Sequence, residues 1–248
     1  MKKINVGIAG GAGYTGGELL RILVRHPQVH ISFVHSSSNA GKPVYGVHSD
    51  LVGDTNLIFT NTFLDNIDVL FLCVGHNEAK TLLAEQNIAA SVSIIDLSQD
   101  FRLAANATIA DRTFVYGLPE LNREKITTAK NIANPGCFAT AIQLALLPLA
   151  KSGLLQDIYT TGITGSTGAG QSLSATSHFS WRANNIQAYK TLDHQHVFEI
   201  VQSLNQLQAD APLSASGEGP GLHFVPWRGD FTRGIYTSSV IDCSLPLE

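Results

Sequence analysis

One cysteine of this sequence stands where a thiol can act as a nucleophile. Cys137 lies in the segment IANPGCFATA, directly after Asn-Pro-Gly and before an apolar run that extends to about Leu149. Asn134 is a good helix N-cap and Pro135 a good first helical residue, so the segment predicts a helix with Cys137 in its first turn. A helix start lowers the pKa of a thiol and can stabilise an oxyanion on a bound carbonyl. The alternative is packing, because cysteine in an apolar context is commonly a small buried hydrophobe.

A thiolate needs a proton partner, and three residues of the segment LDHQHVFEI could supply one. They are His194, His196 and Glu199. In an extended segment the two histidines would share a face, and the carboxylate could orient either ring for acid/base chemistry. The alternative is a structural position for each histidine. Two nitrogens and one distant carboxylate are too few ligands for a metal ion, so no metal is predicted.

The two other cysteines, Cys73 and Cys243, lie in strand-like segments and are predicted to be buried. Three widely spaced cysteines match neither a zinc site nor a disulfide framework, which favours a reducing, cytoplasmic location. The formal net charge of -4 does not suggest the basic surface of a nucleic-acid-binding protein. No apolar run reaches the ~18 residues of a membrane span. We therefore expect neither a nucleic-acid nor a membrane partner.

Strand-like and helix-like segments alternate through the first half of the chain. The predicted strands are 4–9, 29–34, 69–74 and 94–97, and the predicted helices are about 15–25 and 78–87. Such alternation predicts a parallel, doubly wound sheet. In the second half, 209–221 predicts an exposed loop and 234–245 one further strand.

A glycine-rich turn follows the first predicted strand and opens the first predicted helix. The segment GIAGGAGYTGGELL contains Gly11-x-Gly13-x-x-Gly16. Glycine lets the backbone approach a pyrophosphate, and the helix start offers N–H groups to phosphates. In this strand–turn–helix context the pattern predicts dinucleotide binding, against the alternative of a turn that binds nothing.

The position that distinguishes NAD from NADP carries no acidic residue. NAD-binding folds place Asp or Glu about 20 residues after the turn, where it binds the ribose 2′-OH. Here the segment VHSSSNAGK provides Ser36, Ser37 and Ser38, followed by Lys42. Hydroxyls and a cation suit a 2′-phosphate, so we predict NADP; the alternative is a solvated loop.

The order of the motifs resembles one protein family. GAGYTGGEL, DLSQDFR, YGLPEL, NPGCFAT, GSTGAGQ and HQH..E follow one another along almost the whole chain. The chain resembles the N-acetyl-γ-glutamyl-phosphate reductases of the aspartate-semialdehyde dehydrogenase superfamily. The resemblance implies NADPH-dependent reduction of an acyl phosphate to a semialdehyde in arginine biosynthesis, with Cys137 attacking the acyl phosphate to form a thioester. It places the H-x-H-x-x-E pattern on His194, His196 and Glu199, with His194 preferred as the acid/base and His196 second.

The same resemblance completes the sets of predicted contacts. The second glycine-rich loop, GSTGAG, is expected near the cofactor or the active site because glycine permits close backbone approach. The predicted cofactor contacts are Gly11, Gly13, Tyr14, Thr15, Gly16, Ser36, Ser37, Ser38, Lys42, Gly75, Ser98 and Gly168. The predicted substrate contacts are Arg102, Asn134 and Lys190, and the further candidate cations are Arg182, Arg228 and Arg233.

The resemblance also implies the architecture. We expect an α/β protein with a Rossmann-type, NADP-binding doubly wound sheet in residues 1–136. Residues 137–248 are expected to form an α+β substrate and dimerisation domain like that of glyceraldehyde-3-phosphate dehydrogenase. Because relatives continue further, we expect this second domain to lack its C-terminal segment. A homo-oligomer, dimer or tetramer, is expected by analogy.

Three functions stay open from the sequence. The first is the N-acetyl-γ-glutamyl-phosphate reductase implied by the resemblance. The second keeps the fold and changes the substrate to an aspartyl, aminoadipyl or N-succinyl acyl phosphate. The third is a non-catalytic NADP-binding module in which Cys137 is unreactive.

Overall fold

The computed structural model describes residues 2–243, which divide into two compact units. The first unit comprises the chain up to Gly117 together with Asn122–Asn134. The second comprises Leu118–Leu121 together with the described residues from Pro135 onward. Within the described residues, no helix combines the length and apolar character needed to span a membrane.

An eight-stranded sheet forms the centre of the first unit. Its strands are β1 (Ile4–Ala9), β2 (Val29–His35), β3 (Phe59–Thr60), β4 (Val69–Leu72), β5 (Ser93–Asp96), β6 (Thr108–Ile109), β7 (Arg112–Tyr116) and β8 (Asn131–Ala133). Their order is β3-β2-β1-β4-β5-β8-β7-β6. Each neighbouring pair is parallel except β6 and β7, which are antiparallel. The predicted doubly wound parallel sheet is confirmed.

Apolar side chains cover both faces of this sheet. The helices of the first unit are α1 (Tyr14–Leu23), α2 (Glu78–Glu85) and most of α3 (Pro119–Thr128). On β4, Leu70 and Leu72 enter the core that includes Ala79 of α2, whereas Phe71 joins the core that includes Leu20 of α1. Full burial of one leucine side chain stabilises the fold by about 1.5–3 kcal/mol, so both cores hold the strands in place.

The sheet order reverses at β1, between β2 and β4. At such a switch point the connections leave in opposite directions, and a crevice opens at the carboxyl ends of the strands. The glycine-rich turn follows β1, the serines follow β2, and Gly75 and Ser98 follow β4 and β5. Parallel strands therefore bring these predicted cofactor contacts to one edge of the sheet.

A mixed four-stranded sheet forms the centre of the second unit. Its strands are β9 (Leu155–Thr164), β10 (Gln187–Ala188), β11 (Leu222–Arg228) and β12 (Ile235–Cys243), and its helices are α4 (Cys137–Lys151), α5 (Phe179–Arg182) and α6 (His196–Asn205). The order is β10-β11-β9-β12, with β11 and β9 parallel. β12 matches the predicted strand up to residue 243, and residues 244–245 of that prediction lie outside the described residues. The exposed loop predicted at 209–221 is confirmed, except that Leu213 and Gly221 are buried.

One of the two inner strands of this second sheet, β9, was not predicted from the sequence. β9 alternates between buried and exposed positions, but its inward positions include Thr160, Gly162 and Thr164. The apolar periodicity that reveals a strand is therefore weak, even though the burial periodicity is present. Position 162 is a glycine for a packing reason, because a Cβ there would lie 2.5 Å from Phe138 Cε1. Helix α4 consequently packs close to the sheet through its second residue.

Candidate active site

Cys137 is the first residue of α4, and its side chain is exposed. The prediction of a thiol in the first helical turn is confirmed. The predicted N-cap is wrong: the N-cap is Gly136, with φ -65° and ψ 153°, and Asn134 lies further upstream. The reason is that Asn134 continues the strand pairing, because its main-chain N–H donates to Asp96 O at 2.7 Å. The chain turns into the helix only after Pro135 and Gly136.

A buried carboxylate contacts the backbone directly before the cysteine. Glu199 Oε2 accepts a hydrogen bond from the Gly136 N–H at 3.1 Å, and Glu199 Oε1 lies 3.6 Å from His196 Nε2. A Cβ at position 136 would lie 2.5 Å from Glu199 Oε1 and would also collide with the His196 ring. Glycine is therefore required before Cys137, because two side chains of α6 pack against its Cα.

The two histidines are adjacent but do not lie in an extended segment, as the sequence had suggested. His196 is the first residue of α6, and His194 precedes it in a turn. Their ring centroids are 4.5 Å apart in an edge-to-face arrangement, and both side chains are buried. The three residues His194, His196 and Glu199 nevertheless lie together next to the start of α4, as predicted from the sequence.

His194 is an electrically neutral hydrogen-bond donor at neutral pH. Burial lowers the pKa of His194 to about 4, and the nearby positive charge of Lys190 acts in the same direction. Its Nδ1 accepts a hydrogen bond from the His196 N–H at 3.2 Å. In a neutral imidazole one nitrogen accepts and the other carries the proton, so this contact assigns the ring proton of His194 to Nε2.

Tyr189 belongs to the same cluster, although it was not among the residues predicted from the sequence. Its ring centroid lies 5.8 Å from that of His194 and 4.7 Å from Arg228 Cζ. Burial raises the pKa of Tyr189; the charge of Arg228 opposes this shift and that of Cys137 adds to it. No local motif reveals this tyrosine, because the pairing of β10 with β11 brings it to the cluster.

The glycine-rich turn has the geometry of a phosphate-binding loop. Gly13 is the N-cap of α1, so Tyr14 and Thr15 form its first turn. A Cβ at Gly16 would lie 2.6 Å from Gly10 O, which shows how tightly the helix approaches the turn. Gly10, which lies outside the predicted G-x-G-x-x-G pattern, has φ +77°, a conformation suited to glycine. A turn in which Gly10, Gly11 and Gly13 lack a Cβ, placed at a helix start, fits the pyrophosphate of a dinucleotide.

A buried histidine, which was also not predicted, supports this turn. His48 Nε2 lies 2.8 Å from Gly11 O, and a Cβ at Gly17 would lie 2.5 Å from His48 Cε1. The ring therefore packs beneath the start of α1 and fixes one carbonyl of the turn. Since the contact spans 37 positions, no local pattern could have predicted it.

The other predicted cofactor contacts have different environments. Ser36 is buried, and Ser37 and Ser38 continue into a short 3-10 helix after β2. Lys42 is exposed, and its Nζ donates to Asn39 Oδ1 at 3.4 Å. The Gly75 N–H donates to Glu78 Oε2, and Ser98 Oγ donates to Asp96 Oδ2 at 2.8 Å. Gly168 lies in a 3-10 turn after β9, in the second unit.

The predicted substrate contacts also differ in their surroundings. Arg102 is buried; its Nε donates to Asn134 O at 2.8 Å and its Nη2 donates to Leu97 O at 3.0 Å. Lys190 is exposed, has φ +45°, and donates from Nζ to Gln195 Oε1 at 2.8 Å. Both Arg102 contacts join residues of the first unit, and the Lys190 contact joins residues of the second. The substrate assignments of these residues stay predictions.

The remaining cysteines are set apart from Cys137. Cys73 is buried, as predicted, and burial raises the pKa of its thiol to about 12. The prediction for the Cys243 side chain lies outside what the structure describes. Of the cysteines whose side chains are described, Cys137 is the exposed one.

The two units of the chain match the two domain models of the semialdehyde dehydrogenase family. Residues 5–129 match the family model described as semialdehyde dehydrogenase, NAD binding domain, and residues 137–247 match the model described as semialdehyde dehydrogenase, dimerisation domain. Aspartate semialdehyde dehydrogenase II of Vibrio cholerae, complexed with ASA, superposes with a TM-score of 0.71 at 19% identity, covering 100% of this chain and 76% of that one. The enzyme of Candida albicans, with NADP, gives 0.65 at 14% identity, covering 100% and 73%.

The sequence relatives define the family more narrowly. The N-acetyl-gamma-glutamyl-phosphate reductase of Christiangramia forsetii is 52% identical over 246 residues, which are 99% of this chain and 73% of that protein. The enzyme of the same name from Phocaeicola vulgatus is 53% identical over 247 residues, with the same shares. The chain belongs to the N-acetyl-gamma-glutamyl-phosphate reductase family, and the resemblance inferred from its motifs is confirmed.

Proposed function

We propose that this chain catalyses the NADPH-dependent reduction of N-acetyl-γ-glutamyl phosphate to N-acetylglutamate semialdehyde and phosphate, a step of arginine biosynthesis. The observation that carries the proposal is the exposed Cys137 at the start of α4, beside the buried cluster of His194, His196 and Glu199. A nucleophile at a helix start with an oriented base beside it is the arrangement that acyl transfer requires. The family membership supplies the substrate class.

The first half-reaction is assigned to the cysteine and the helix start. Cys137 Sγ attacks the acyl carbonyl, the bond to the phosphate oxygen breaks, and a thioester forms on Cys137. The first turn of α4 presents main-chain N–H groups at the positive end of the helix dipole, and these can stabilise the negative oxygen of the tetrahedral state. When bound, NADPH supplies the hydride that reduces the thioester carbon.

The two histidines are proposed to divide the proton chemistry. His196 takes the proton of the Cys137 thiol, because the carboxylate of Glu199 stands 3.6 Å from its Nε2 and stabilises an imidazolium. His194, neutral and protonated on Nε2, donates a hydrogen bond to the substrate oxygen and stabilises it as the thiohemiacetal forms and collapses. This assignment reverses the preference for His194 as the acid/base that the sequence alone suggested.

The cofactor is proposed to be NADP rather than NAD. The glycine turn and the start of α1 fit a pyrophosphate, and the residues directly after β2 are Ser36, Ser37 and Ser38, without a carboxylate. A carboxylate there would accept hydrogen bonds from a ribose diol and would repel a 2′-phosphate. Hydroxyls together with Lys42 favour the phosphorylated ribose.

We further propose that the chain forms a homodimer through the outer face of its four-stranded sheet. Tyr159 pairs with Val240, and Ile163 pairs with Tyr236, so these side chains share one face. Tyr159, Tyr236 and Val240 are all more than half exposed, and contiguous exposed apolar surface marks an interface. The family model for this region carries the description dimerisation domain. A cytoplasmic location is proposed because an exposed reactive thiol has to stay reduced.

The decisive experiment measures the reverse reaction. The protein is incubated with N-acetylglutamate semialdehyde, phosphate and NADP, and NADPH formation is followed by absorbance. Cys137→Ser should lower the rate by roughly 10³-fold or more, since the weaker nucleophile forms no thioester. Cys73→Ala, which removes a buried thiol, is the matched control and should keep the rate. Absence of turnover with any N-acylglutamate semialdehyde would refute the function, and an unchanged rate for Cys137→Ser would refute the mechanism.

A further inference from the structure

Two arginines of the second unit have no anionic partner among the described residues. Arg182 is buried in α5, and Arg228 is half-buried at the end of β11. The Nε atoms of both are buried and make no hydrogen bond to any residue that the structure describes. Within residues 2–243 neither guanidinium forms an ion pair with a carboxylate. A buried donor without an acceptor and a cation without a counter-ion are both unfavourable, so this region is suited to an anionic ligand.

The position of Arg228 is fixed by two neighbours. Arg182 Nη1 donates to the main-chain O of Arg228 at 2.8 Å, across 46 positions of the chain. The Arg228 guanidinium lies over the ring of Tyr189, with Cζ 4.7 Å from the ring centroid. Stacking on an aromatic face restrains the plane of a guanidinium and leaves its edge for a planar or tetrahedral oxyanion. Arg182 thus holds the backbone of Arg228, and Tyr189 holds its side chain.

This arginine belongs to the same cluster as the nucleophile. The ring of Tyr189 lies 5.8 Å from that of His194, which in turn lies 4.5 Å from that of His196. The backbone directly before Cys137 packs against the His196 ring, because a Cβ at Gly136 would collide with that ring. A ligand oxyanion bound by Arg228 would therefore belong to the molecule that Cys137 attacks.

We propose that Arg228 binds an oxyanion of the substrate, with Arg182 and Tyr189 as its positioning residues. The inference rests on the proposed function, because an N-acylated amino acid activated as an acyl phosphate carries two such groups, its α-carboxylate and its phosphate. Both present paired oxygens that match the paired N–H donors of a guanidinium. Arg228 is then a specificity-determining residue that rejects a substrate in which this group is neutral.

The test measures binding rather than turnover, by calorimetry at fixed ionic strength. The probes are N-acetyl-L-glutamine, whose charge is its α-carboxylate, the neutral N-acetyl-L-glutaminamide, and inorganic phosphate. The wild-type chain should bind at least one charged probe and should bind the neutral amide more weakly. Arg228→Gln should weaken binding of that charged probe by roughly 10- to 100-fold, the loss expected for hydrogen bonds to a charged group. Arg123→Gln, at an exposed position of α3, is the matched control and should change nothing.

The outcomes separate the two sources of the oxyanion. A selective loss of N-acetyl-L-glutamine binding assigns Arg228 to the α-carboxylate, and a selective loss of phosphate binding assigns it to the phosphate. If Arg228→Gln does not fold, Arg228→Lys replaces it in the test. This variant keeps the positive charge but loses the planar guanidinium, so it should weaken binding of the charged probe by a smaller factor. Unchanged affinity in both variants, or no binding of either charged probe by the wild type, overturns the inference. Failure of the proposed function gives a different result: turnover would be absent, while these binding constants would be unaffected.

Discussion

Glu199 accepts a hydrogen bond from the main-chain N–H of Gly136 at 3.1 Å, although the two residues are 63 positions apart in the sequence. This contact joins the first turn of α6 to the residue that caps α4. The same carboxylate stands 3.6 Å from His196 Nε2. One side chain therefore fixes both the backbone before Cys137 and the imidazole that we propose as the acceptor of its proton.

Removing the charge of Glu199 should affect chemistry more than folding. Glu199→Gln keeps an oxygen that can accept the Gly136 N–H but no longer stabilises a protonated His196, so kcat should fall by roughly 10- to 100-fold. Glu199→Ala also leaves a buried N–H without an acceptor and should lower the free energy of unfolding by about 1–3 kcal/mol. Steady-state kinetics and urea denaturation measure the two effects. Glu120→Gln, at an exposed acid, is the control; equal losses of kcat in both glutamine variants would contradict this account.

The lowered pKa of His194 should appear in the pH dependence of stability. The unfolded histidine titrates near 6.5 and the folded one near 4. Below pH 6.5 the unfolded chain therefore binds more protons, so the contribution of His194 is fully present above this pH and is lost as the pH falls towards 4. In His194→Asn, Oδ1 can still accept the His196 N–H, and stability should decrease less over this range.

Urea denaturation between pH 4 and pH 8 measures this difference. His30→Asn, at an exposed histidine, serves as the control and should follow the wild type. An NMR titration of the His194 ring gives the pKa directly. A midpoint at or above 6.5 would show that the ring is charged under acidic assay conditions and would remove the assignment of His194 as a neutral donor.

The parts of the site that could be predicted from the sequence are those that depend on neighbouring residues. Gly13 and Gly16 were predictable because strand, turn and helix follow one another locally, and Cys137 because a proline-glycine pair precedes an apolar helix. The N-cap was misassigned for the opposite reason. Strand pairing holds Asn134, and the Gly136 N–H is bound by a residue far along the chain, so the local capping preference of asparagine is overridden.

Contacts between distant elements account for what the sequence did not reveal. In the sequence, nothing distinguishes Arg228 from the other candidate cations, and no motif marks Tyr189. The pairing of Ala188 with Trp227 in β10 and β11 brings the two residues together. His48 reaches Gly11 across the first unit in the same way. Neither pairing leaves a periodic pattern, because β10 is two residues long and His48 lies outside any long element.

A substitution at the serines after β2 should change the cofactor preference. Ser37→Asp places a carboxylate where NAD-binding folds have one, so it should repel the 2′-phosphate and accept the ribose hydroxyls. The Kd for NADPH should rise by roughly 10-fold or more, and the Kd for NADH should fall or stay unchanged. Nicotinamide fluorescence measures both without turnover. Ser152→Asp, exposed in the second unit, is the control, and a wild-type chain that binds NADH more tightly than NADPH would contradict the proposed cofactor.

The proposed dimer interface can be tested with two valines of equal exposure. Val240 lies on the outer face of the four-stranded sheet and Val52 lies in the first unit, and both are 67% exposed. Val240→Glu should place two like charges in a desolvated interface and shift the protein to monomers, whereas Val52→Glu should not. Light scattering coupled to size-exclusion chromatography measures the mass of each. A monomeric wild type, or two variants with the same mass as the wild type, would exclude this face as the interface.

The close approach of α4 to β9 gives a prediction that links packing to reactivity. A Cβ at Gly162 would lie 2.5 Å from Phe138 Cε1 and 3.2 Å from Phe224 Cε2, and Phe138 follows Cys137 directly. Gly162→Ala should therefore lower the free energy of unfolding by about 1–3 kcal/mol, the usual range for overpacking a core. Because the displaced residue is the second of α4, the alkylation rate of Cys137 by iodoacetamide should fall as well.

A second substitution separates displacement of the helix from general destabilisation. Phe138→Leu removes the colliding ring atoms, so the double variant Gly162→Ala, Phe138→Leu should regain part of the alkylation rate even though the leucine alone loses packing against Phe224. Gly46→Ala is the control, since a Cβ there would meet its nearest neighbour at 3.7 Å. The effects of the two substitutions in this double-mutant cycle should be non-additive, because positions 162 and 138 are in contact. Strictly additive effects on stability and reactivity would show that a shift of Phe138 against β9 does not alter the reactivity of Cys137.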